Sequence, residues 1–216
     1  MPQERMTEGP KVPVKEVKNV YETVCELLGY KPSIAIFDYD FTLKTDYLGP
    51  LLSLRFGEVP VESVQILTML RLADWHVCIL TNQHPTGHVI AREMSHLRGN
   101  YPFFPDSLDK AMRNGDPNEK LIIGNTSTVY LPFYNFKRTK SALNEVSNFL
   151  DKHLENAQNG IYMIGDREGD IKFAQRLNDK INPLGLSVNG FLKFPDPIYV
   201  KAIPKEPRGI TGKFIP

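Results

Sequence analysis

Polar residues that could do chemistry follow three apolar segments of this chain. They are Asp38 and Asp40 after residues 33–37, Thr81 and Asn82 after residues 75–80, and Asp166 and Asp170 after residues 161–164. Four carboxylates that approach one point repel each other unless a cation lies among them. Carboxylate oxygens suit hard divalent ions, and Mg²⁺ in particular. If the three segments are neighbouring strands, the sequence therefore predicts a magnesium site that the four aspartates share.

Apolar runs alternate with stretches of helical periodicity along most of the chain. The runs predict strands at 33–37, 75–80 and 161–164, with further strand-like segments at 121–123, 128–133 and 184–188. Apolar spacings of three and four predict helices at 14–30, 61–73, 86–97, 142–154 and about 170–177. The glycines and prolines of 44–60 predict a loop or a hairpin. This alternation predicts a doubly wound, Rossmann-like α/β fold, in which ligands bind beyond the carboxyl ends of parallel strands.

The length of 216 residues suits one ordinary domain with a small insertion. We predict an N-terminal arm and helix over residues 1–30, the main domain over 31–190 and a proline-rich tail over 191–216. The aromatic-rich stretch at about 100–136 is interpreted as a small insertion in the main domain. The segments between the predicted strands therefore leave no room for a second large domain.

Composition excludes several classes of protein. Hydrophobic residues make up 41% of the chain and charged residues 24%, which is typical of a folded globular protein. The formal net charge of +1 gives no electrostatic argument for a dedicated nucleic-acid binder, although nucleic acid stays open as a partner. The sequence contains no apolar run long enough to span a membrane and no apolar core near its charged N-terminus. We therefore expect a cytoplasmic protein without a membrane partner, and export without a signal stays open.

Three segments, with their polar ends, closely resemble motifs of the haloacid dehalogenase superfamily of phosphohydrolases. The first motif, an apolar strand that runs into Asp-x-Asp-x-Thr-Leu, resembles residues 34–43. The second, a strand that ends in Thr or Ser, resembles residues 77–82, and the fourth, a strand that ends in Gly-Asp-x-x-x-Asp, resembles residues 161–171. The resemblance covers roughly residues 33–178. It implies a nearly capless member, because no insertion between the motifs is long enough for a large cap domain.

The resemblance implies a phosphatase that uses Mg²⁺ and forms an aspartyl-phosphate. Asp38 would be the nucleophile, and Asp40 would be the general acid for the leaving group and then the general base for water. Thr81 would hydrogen-bond a phosphoryl oxygen. Asp40 would offer its backbone carbonyl to the metal, and Asp166 and Asp170 would be the other ligands that accompany Asp38.

The third motif of the family is a lysine about 25 residues before the fourth motif, at the start of a helix. Lys140 lies 26 residues before Asp166 and directly precedes a predicted helix, so we assign it as the catalytic lysine, which offsets phosphoryl charge. Lys137, three residues earlier, is the alternative. It is otherwise expected to contact the substrate, together with Asn82 and His84.

Several substrates stay open. By the same resemblance, a nearly capless, open site implies large phosphorylated substrates, and the aromatic residues of the chain favour a protein phosphatase that acts on phosphotyrosine. Residues 81–83 also resemble the Thr-Asn-Gln of polynucleotide 3′-phosphatases, so a polynucleotide 3′-phosphatase or a small-metabolite phosphatase is the alternative. A hypothesis from another class is a non-catalytic module that uses the same pocket to bind phosphorylated partners.

Overall fold

The computed structural model describes residues 11–40, 42–48, 55–58, 61–82, 122–124 and 136–193. Within these ranges eight strands form two sheets. The strands are β1 (Val14–Val17), β2 (Ile34–Asp38), β3 (Thr45–Leu48), β4 (Arg55–Glu58), β5 (His76–Leu80), β6 (Ile122–Ile123), β7 (Ile161–Gly165) and β8 (Val188–Lys193). Six of them pair in parallel in the order β1–β8–β7–β2–β5–β6, and β3 and β4 form an antiparallel hairpin.

Five α-helices accompany the strands in the described part of the chain. They are α1 (Val20–Leu27), α2 (Val61–Leu72), α3 (Lys140–Lys152), α4 (Leu154–Asn159) and α5 (Glu168–Ile181), with short 3₁₀ helices at Phe136–Arg138 and Asn182–Leu184. Side chains cap two of these helices at their starts. Asn19 Oδ1 accepts a hydrogen bond from the Glu22 N–H at 2.8 Å at the start of α1, and Thr139 Oγ1 accepts one from the Ala142 N–H at 3.1 Å at the start of α3.

The central strands of the large sheet are buried on both faces. Along β2, Ala35 and Phe37 contact the core that contains α1 and α2, whereas Ile34 and Ile36 contact the core that contains α3 and α5. Successive residues of a strand face opposite sides of a sheet, so a continuous apolar run is what a strand between two helical layers requires. The structure thus confirms the predicted doubly wound α/β fold with a parallel sheet.

Two predicted elements differ from the structure. Residues 14–30, predicted as one helix, form β1 followed by α1, because Asn19 starts the helix and β1 pairs with β8 at the edge of the sheet. The strand predicted at 184–188 instead begins at Val188. Pro183 in a 3₁₀ helix and Gly185 at φ 75° keep the backbone from extending before that point.

The other predictions agree within a few residues or lie outside the described ranges. Residues 44–60 contain the predicted hairpin, as β3 and β4. The N-terminal segment from Val14 joins the same sheet and core as the residues after it. The helix predicted at 86–97, the segment at 128–133, most of the proposed insertion and residues 194–216 lie outside the described residues. No helix among the described residues is long and apolar enough to cross a membrane.

Candidate active site

The three predicted polar clusters meet at the carboxyl edge of the large sheet. Strand β2 lies between β5 and β7, with Asp38 opposite Leu80 in the register. Asp38 ends β2, while Thr81 and Asp166 directly follow β5 and β7. Because all three strands are parallel and adjacent, the sheet brings together the residues at their ends, as a ligand site of this architecture requires.

Three carboxylates form the floor of the site. Asp38, Asp166 and Asp170 each place an oxygen within 4.8 Å of the others. Burial raises the pKa of Asp38 well above its ordinary value, with a further rise from the Asp170 charge, although the Lys137 ammonium opposes both. Burial also raises the pKa of Asp166, and Arg167 opposes that rise. Such a cluster is costly without a cation among the carboxylates.

Asp166 and Asp170 lie in a short segment, residues 165–170, which we call the acidic turn. Asp170 Oδ2 accepts a hydrogen bond from the Arg167 N–H at 3.1 Å, which fixes the start of α5. A Cβ added at Gly165 would lie 2.4 Å from Asp170 Oδ2. The carboxylate of Asp170 therefore occupies space that only a glycine leaves open.

Lys137 supplies the buried positive charge of the site. Its Nζ lies 2.6 Å from Asp170 Oδ1 and also forms an ion pair with Asp38 Oδ1. Burial by itself lowers the pKa of Lys137, but the two aspartates outweigh that effect and the pKa is raised. Lys137 is therefore an ammonium that balances part of the negative charge of the floor.

Lys137 lies in a second segment, residues 136–139, which we call the lysine turn. Asn82 Oδ1 accepts a hydrogen bond from the Lys137 N–H at 3.0 Å. The guanidinium of Arg176 donates from Nη1 to the Lys137 carbonyl at 3.1 Å and from Nη2 to the Thr139 carbonyl at 3.3 Å. An amide from one side and a guanidinium from the other therefore hold the lysine turn at the edge of the sheet.

The structure places Lys137, and not Lys140, beside the carboxylates. Lys140, predicted as the catalytic lysine, is exposed at the first residue of α3. Lys137, predicted chiefly as a substrate contact, is buried against Asp38 and Asp170. The hydrogen bonds from Asn82 and Arg176 explain the difference, because they fix the backbone of Lys137, three residues before α3 begins.

The remaining predicted residues lie around this floor. Asp40 is buried, lines the same cavity and forms an isolated backbone bridge with Lys44. Thr81 is fully buried and its N–H donates to the Ile123 carbonyl at 2.9 Å. Asn82 lines the cavity and is the partner of the lysine turn. His84 lies outside the described residues.

Sequence reasoning missed Arg176 and gave no role to Lys44. No motif marks Arg176, whose part depends on two backbone carbonyls 39 and 37 residues away. Lys44 is buried and lies over the ring of Tyr39, with Nζ 5.8 Å from the ring centroid. Its position four residues after Asp40 is the one signal in the sequence that could have drawn attention to it.

The carboxylates fit a magnesium ion. Their donors are all oxygens, as Mg²⁺ prefers. Asp166 Oδ1 is buried and accepts no hydrogen bond from the described residues. A buried carboxylate oxygen without a donor is costly, and a bound cation would remove that cost. Asp38, Asp166 and Asp170 would hold the ion.

Comparisons with known proteins do not assign the chain to a family. No family model and no curated protein sequence matches the chain. Among solved structures, it is similar to a Vibrio cholerae chain described as a "putative 3-deoxy-D-manno-octulosonate 8-phosphate phosphatase". The identity is 12%, the TM-score is 0.43, and the match covers 86% of this chain and 90% of that one. At this TM-score the likeness carries no argument about function, which has to rest on the side chains of the site.

Proposed function

We propose that this protein is a magnesium-dependent phosphomonoester hydrolase that forms an aspartyl-phosphate on Asp38. The observation that carries the proposal is the buried ion-pair cluster in which Lys137 contacts both Asp38 and Asp170, with Asp166 beside them. A carboxylate at the end of a central strand, next to a fixed ammonium and a candidate metal site, suits attack on a phosphorus atom.

In the first half of the reaction, a carboxylate oxygen of Asp38 attacks the phosphorus, and the bond from phosphorus to the leaving oxygen breaks. Asp40, which lines the same cavity, donates a proton to that oxygen. Lys137 and the hydroxyl of Thr81 offset the charge that spreads over the phosphoryl oxygens. When bound, Mg²⁺ supplies positive charge to the phosphoryl group and to Asp38.

In the second half, water attacks the phosphorus of the aspartyl-phosphate. Asp40, now deprotonated, takes the proton of the water, and the bond between phosphorus and the Asp38 oxygen breaks. Inorganic phosphate leaves, and both aspartates return to their starting states. The two displacements need no redox partner and no second substrate besides water.

The test measures hydrolysis of p-nitrophenyl phosphate by the full chain with Mg²⁺ and with EDTA, and by the Asp38→Asn variant with Mg²⁺. Asn has nearly the shape of Asp but cannot form the acyl-phosphate, so turnover should fall by about 10³-fold or more while the far-ultraviolet circular dichroism is retained. Asp151→Asn, an exposed substitution on α3, is the matched control and should keep full activity.

Two results would contradict the proposal. Turnover that persists in the Asp38→Asn variant would show that Asp38 is not the nucleophile. Turnover that persists in EDTA would show that the reaction does not need Mg²⁺. A wild-type protein that binds phosphate at this site but hydrolyses no phosphomonoester would favour the non-catalytic binding module instead.

A further inference from the structure

The wall of the cavity above the carboxylates is basic. The cavity measures about 430 Å³ and contains Asp38, Asp40 and Asp170 together with five cationic residues. The cationic residues are Lys137, Arg138, Arg167, Lys172 and Arg176. Lys137 belongs to the floor, and the other four surround the space that the rest of a substrate would fill.

Among the residues that the structure describes, two of these cations have a carboxylate partner and two do not. Arg167 Nε lies 3.3 Å from Asp166 Oδ2, and Lys172 Nζ lies 2.9 Å from Glu168 Oε1. Among the described residues, neither Arg138 nor Arg176 forms an ion pair with a carboxylate. The positive charge without a local counter-charge is therefore concentrated beside the lysine turn.

Within the described part of the chain, Arg176 keeps donors that a ligand could use. A guanidinium carries five N–H groups, and hydrogen bonds to described backbone carbonyls occupy two of them. Arg176 is half-buried, and a partly buried cation whose partners are neutral gains more from an anion than an exposed cation does. Arg138 directly follows Lys137, is exposed, and adds a second guanidinium to the same wall.

The size and lining of the cavity indicate what kind of molecule would carry an anionic group to this wall. A volume of about 430 Å³ falls within the range of roughly 300–1,000 Å³ that is typical of small-molecule sites, so it holds more than a phosphoryl group. Among the described lining residues, Phe173 is the one large apolar side chain. An uncharged aromatic ring would therefore meet mostly basic and polar groups here, whereas a second anionic group would meet matching charge.

We propose that Arg138 and Arg176 form a subsite for a second anionic group, and that the substrates are phosphomonoesters with a second phosphate on the same molecule. This inference rests on the proposed hydrolase function, because it takes the carboxylate floor as the place of the scissile phosphate. The shared chemistry is a bis-anionic phosphomonoester. A nucleotide and a sugar bisphosphate are two sources of it.

The test compares matched substrates that differ by one phosphate. The first pair is adenosine 3′,5′-bisphosphate and adenosine 3′-monophosphate, and the second is fructose 1,6-bisphosphate and fructose 1-phosphate. The ratio of kcat/KM within each pair is measured for the wild type, for Arg138→Gln and for Lys180→Gln. Lys180 is a control on the same helix as Arg176, exposed and bonded to Asn144 rather than lining the cavity.

We expect the wild type to prefer the bisphosphate in at least one pair. The pair in which it does so shows whether the substrate is a nucleotide or a sugar bisphosphate. Arg138→Gln should reduce that preference about fivefold, as removal of one exposed charge pair does, whereas Lys180→Gln should leave it unchanged. Equal kcat/KM within both pairs, or a preference that Arg138→Gln leaves intact, would overturn the subsite.

A binding measurement separates this inference from the proposed function. Calorimetry on Asp38→Asn protein with the two adenosine nucleotides does not require turnover. Tighter binding of the bisphosphate that Arg138→Gln weakens about fivefold supports the subsite even when p-nitrophenyl phosphate is not hydrolysed. Equal binding of the two nucleotides overturns the subsite even when p-nitrophenyl phosphate is hydrolysed.

Discussion

The acidic turn and the lysine turn bring opposite charges to one point, but they are held in different ways. Within the acidic turn, Asp170 accepts a hydrogen bond from the Arg167 N–H three residues away, and Gly165 leaves room for its carboxylate. The lysine turn depends on Asn82, 55 residues before Lys137, and on Arg176, 39 residues after it. One turn is specified locally, whereas the other requires that the sheet and α5 are already in place.

The difference has a consequence for folding. A segment whose contacts are local can form its geometry as soon as β7 and the start of α5 form. Lys137 reaches its position only when β5, the lysine turn and α5 are packed together. Part of the negative charge of the carboxylate floor is thus balanced by Lys137, which reaches the floor only through tertiary structure, so the complete site is a property of the whole domain.

The largest effect is expected at Lys137. Lys137→Met leaves Asp38 and Asp170 buried without their shared counter-charge, which should lower the free energy of unfolding by about 3–5 kcal/mol. The turnover of p-nitrophenyl phosphate should fall by about 10²–10³-fold, the scale of one lost charge-stabilising donor. Denaturant unfolding and steady-state kinetics measure the two quantities. Lys140→Met is the matched control and should keep the turnover of the wild type. A loss of turnover in Lys140→Met equal to that in Lys137→Met would contradict the assignment of the catalytic role to Lys137 alone.

Two glycine-to-alanine substitutions test the acidic turn. Gly165→Ala places a methyl group where Asp170 Oδ2 lies, so Asp170 must move and the affinity for Mg²⁺ should fall by about 10-fold or more. At Gly169 an added Cβ would meet nothing within 4 Å. Gly169→Ala should therefore keep the Mg²⁺ affinity and stabilise α5 by about 0.5–1 kcal/mol. Titration of activity with Mg²⁺ and chemical denaturation make the comparison. Equal Mg²⁺ affinities in the two variants would show that the acidic turn tolerates the methyl group.

The long-range support of the lysine turn is tested at Arg176. Arg176→Met removes two charge-assisted hydrogen bonds to the turn, so kcat for p-nitrophenyl phosphate should fall by about 10-fold. The Mg²⁺ concentration for half-maximal activity should change less than kcat, because the Arg167 N–H to Asp170 hydrogen bond and the space at Gly165 do not depend on Arg176. Arg176→Lys should restore part of kcat through one donor. A fall in Mg²⁺ affinity equal to the fall in kcat would mean that the two turns are not independent.

The smallest effect is expected at Asn82, which contributes one neutral hydrogen bond to the lysine turn. Asn82→Ala should reduce kcat for p-nitrophenyl phosphate by about fivefold, the scale of about 1 kcal/mol. Asn82→Asp keeps the acceptor oxygen and should recover more activity than Ala does. If kcat in Asn82→Ala equals that of the wild type, Arg176 alone is enough to hold the turn.

The elements that sequence reasoning predicted well are those whose signal lies within a few neighbouring residues. The strands that end at Asp38, before Thr81 and before Asp166 are continuous apolar runs, and a strand buried on both faces must have that pattern. The helical layers follow from apolar spacing in the same way. Strand β1 was mistaken for helix because its partner is β8, with Val14 opposite Gly190, and no local pattern contains that pairing.

The sequence by itself determined which segments become central strands and that the aspartates at their ends would meet, because parallel neighbouring strands share one carboxyl edge. It also determined the backbone of the acidic turn, because the Arg167 N–H to Asp170 hydrogen bond and the space at Gly165 lie within six consecutive residues. Only the tertiary structure decided which of Lys137 and Lys140 lies beside the carboxylates, since the two differ by less than one helical turn in spacing from Asp166. The hydrogen bonds that select Lys137 come from Asn82 and Arg176, which are distant in the chain and become its neighbours only through the packing of β5 and α5.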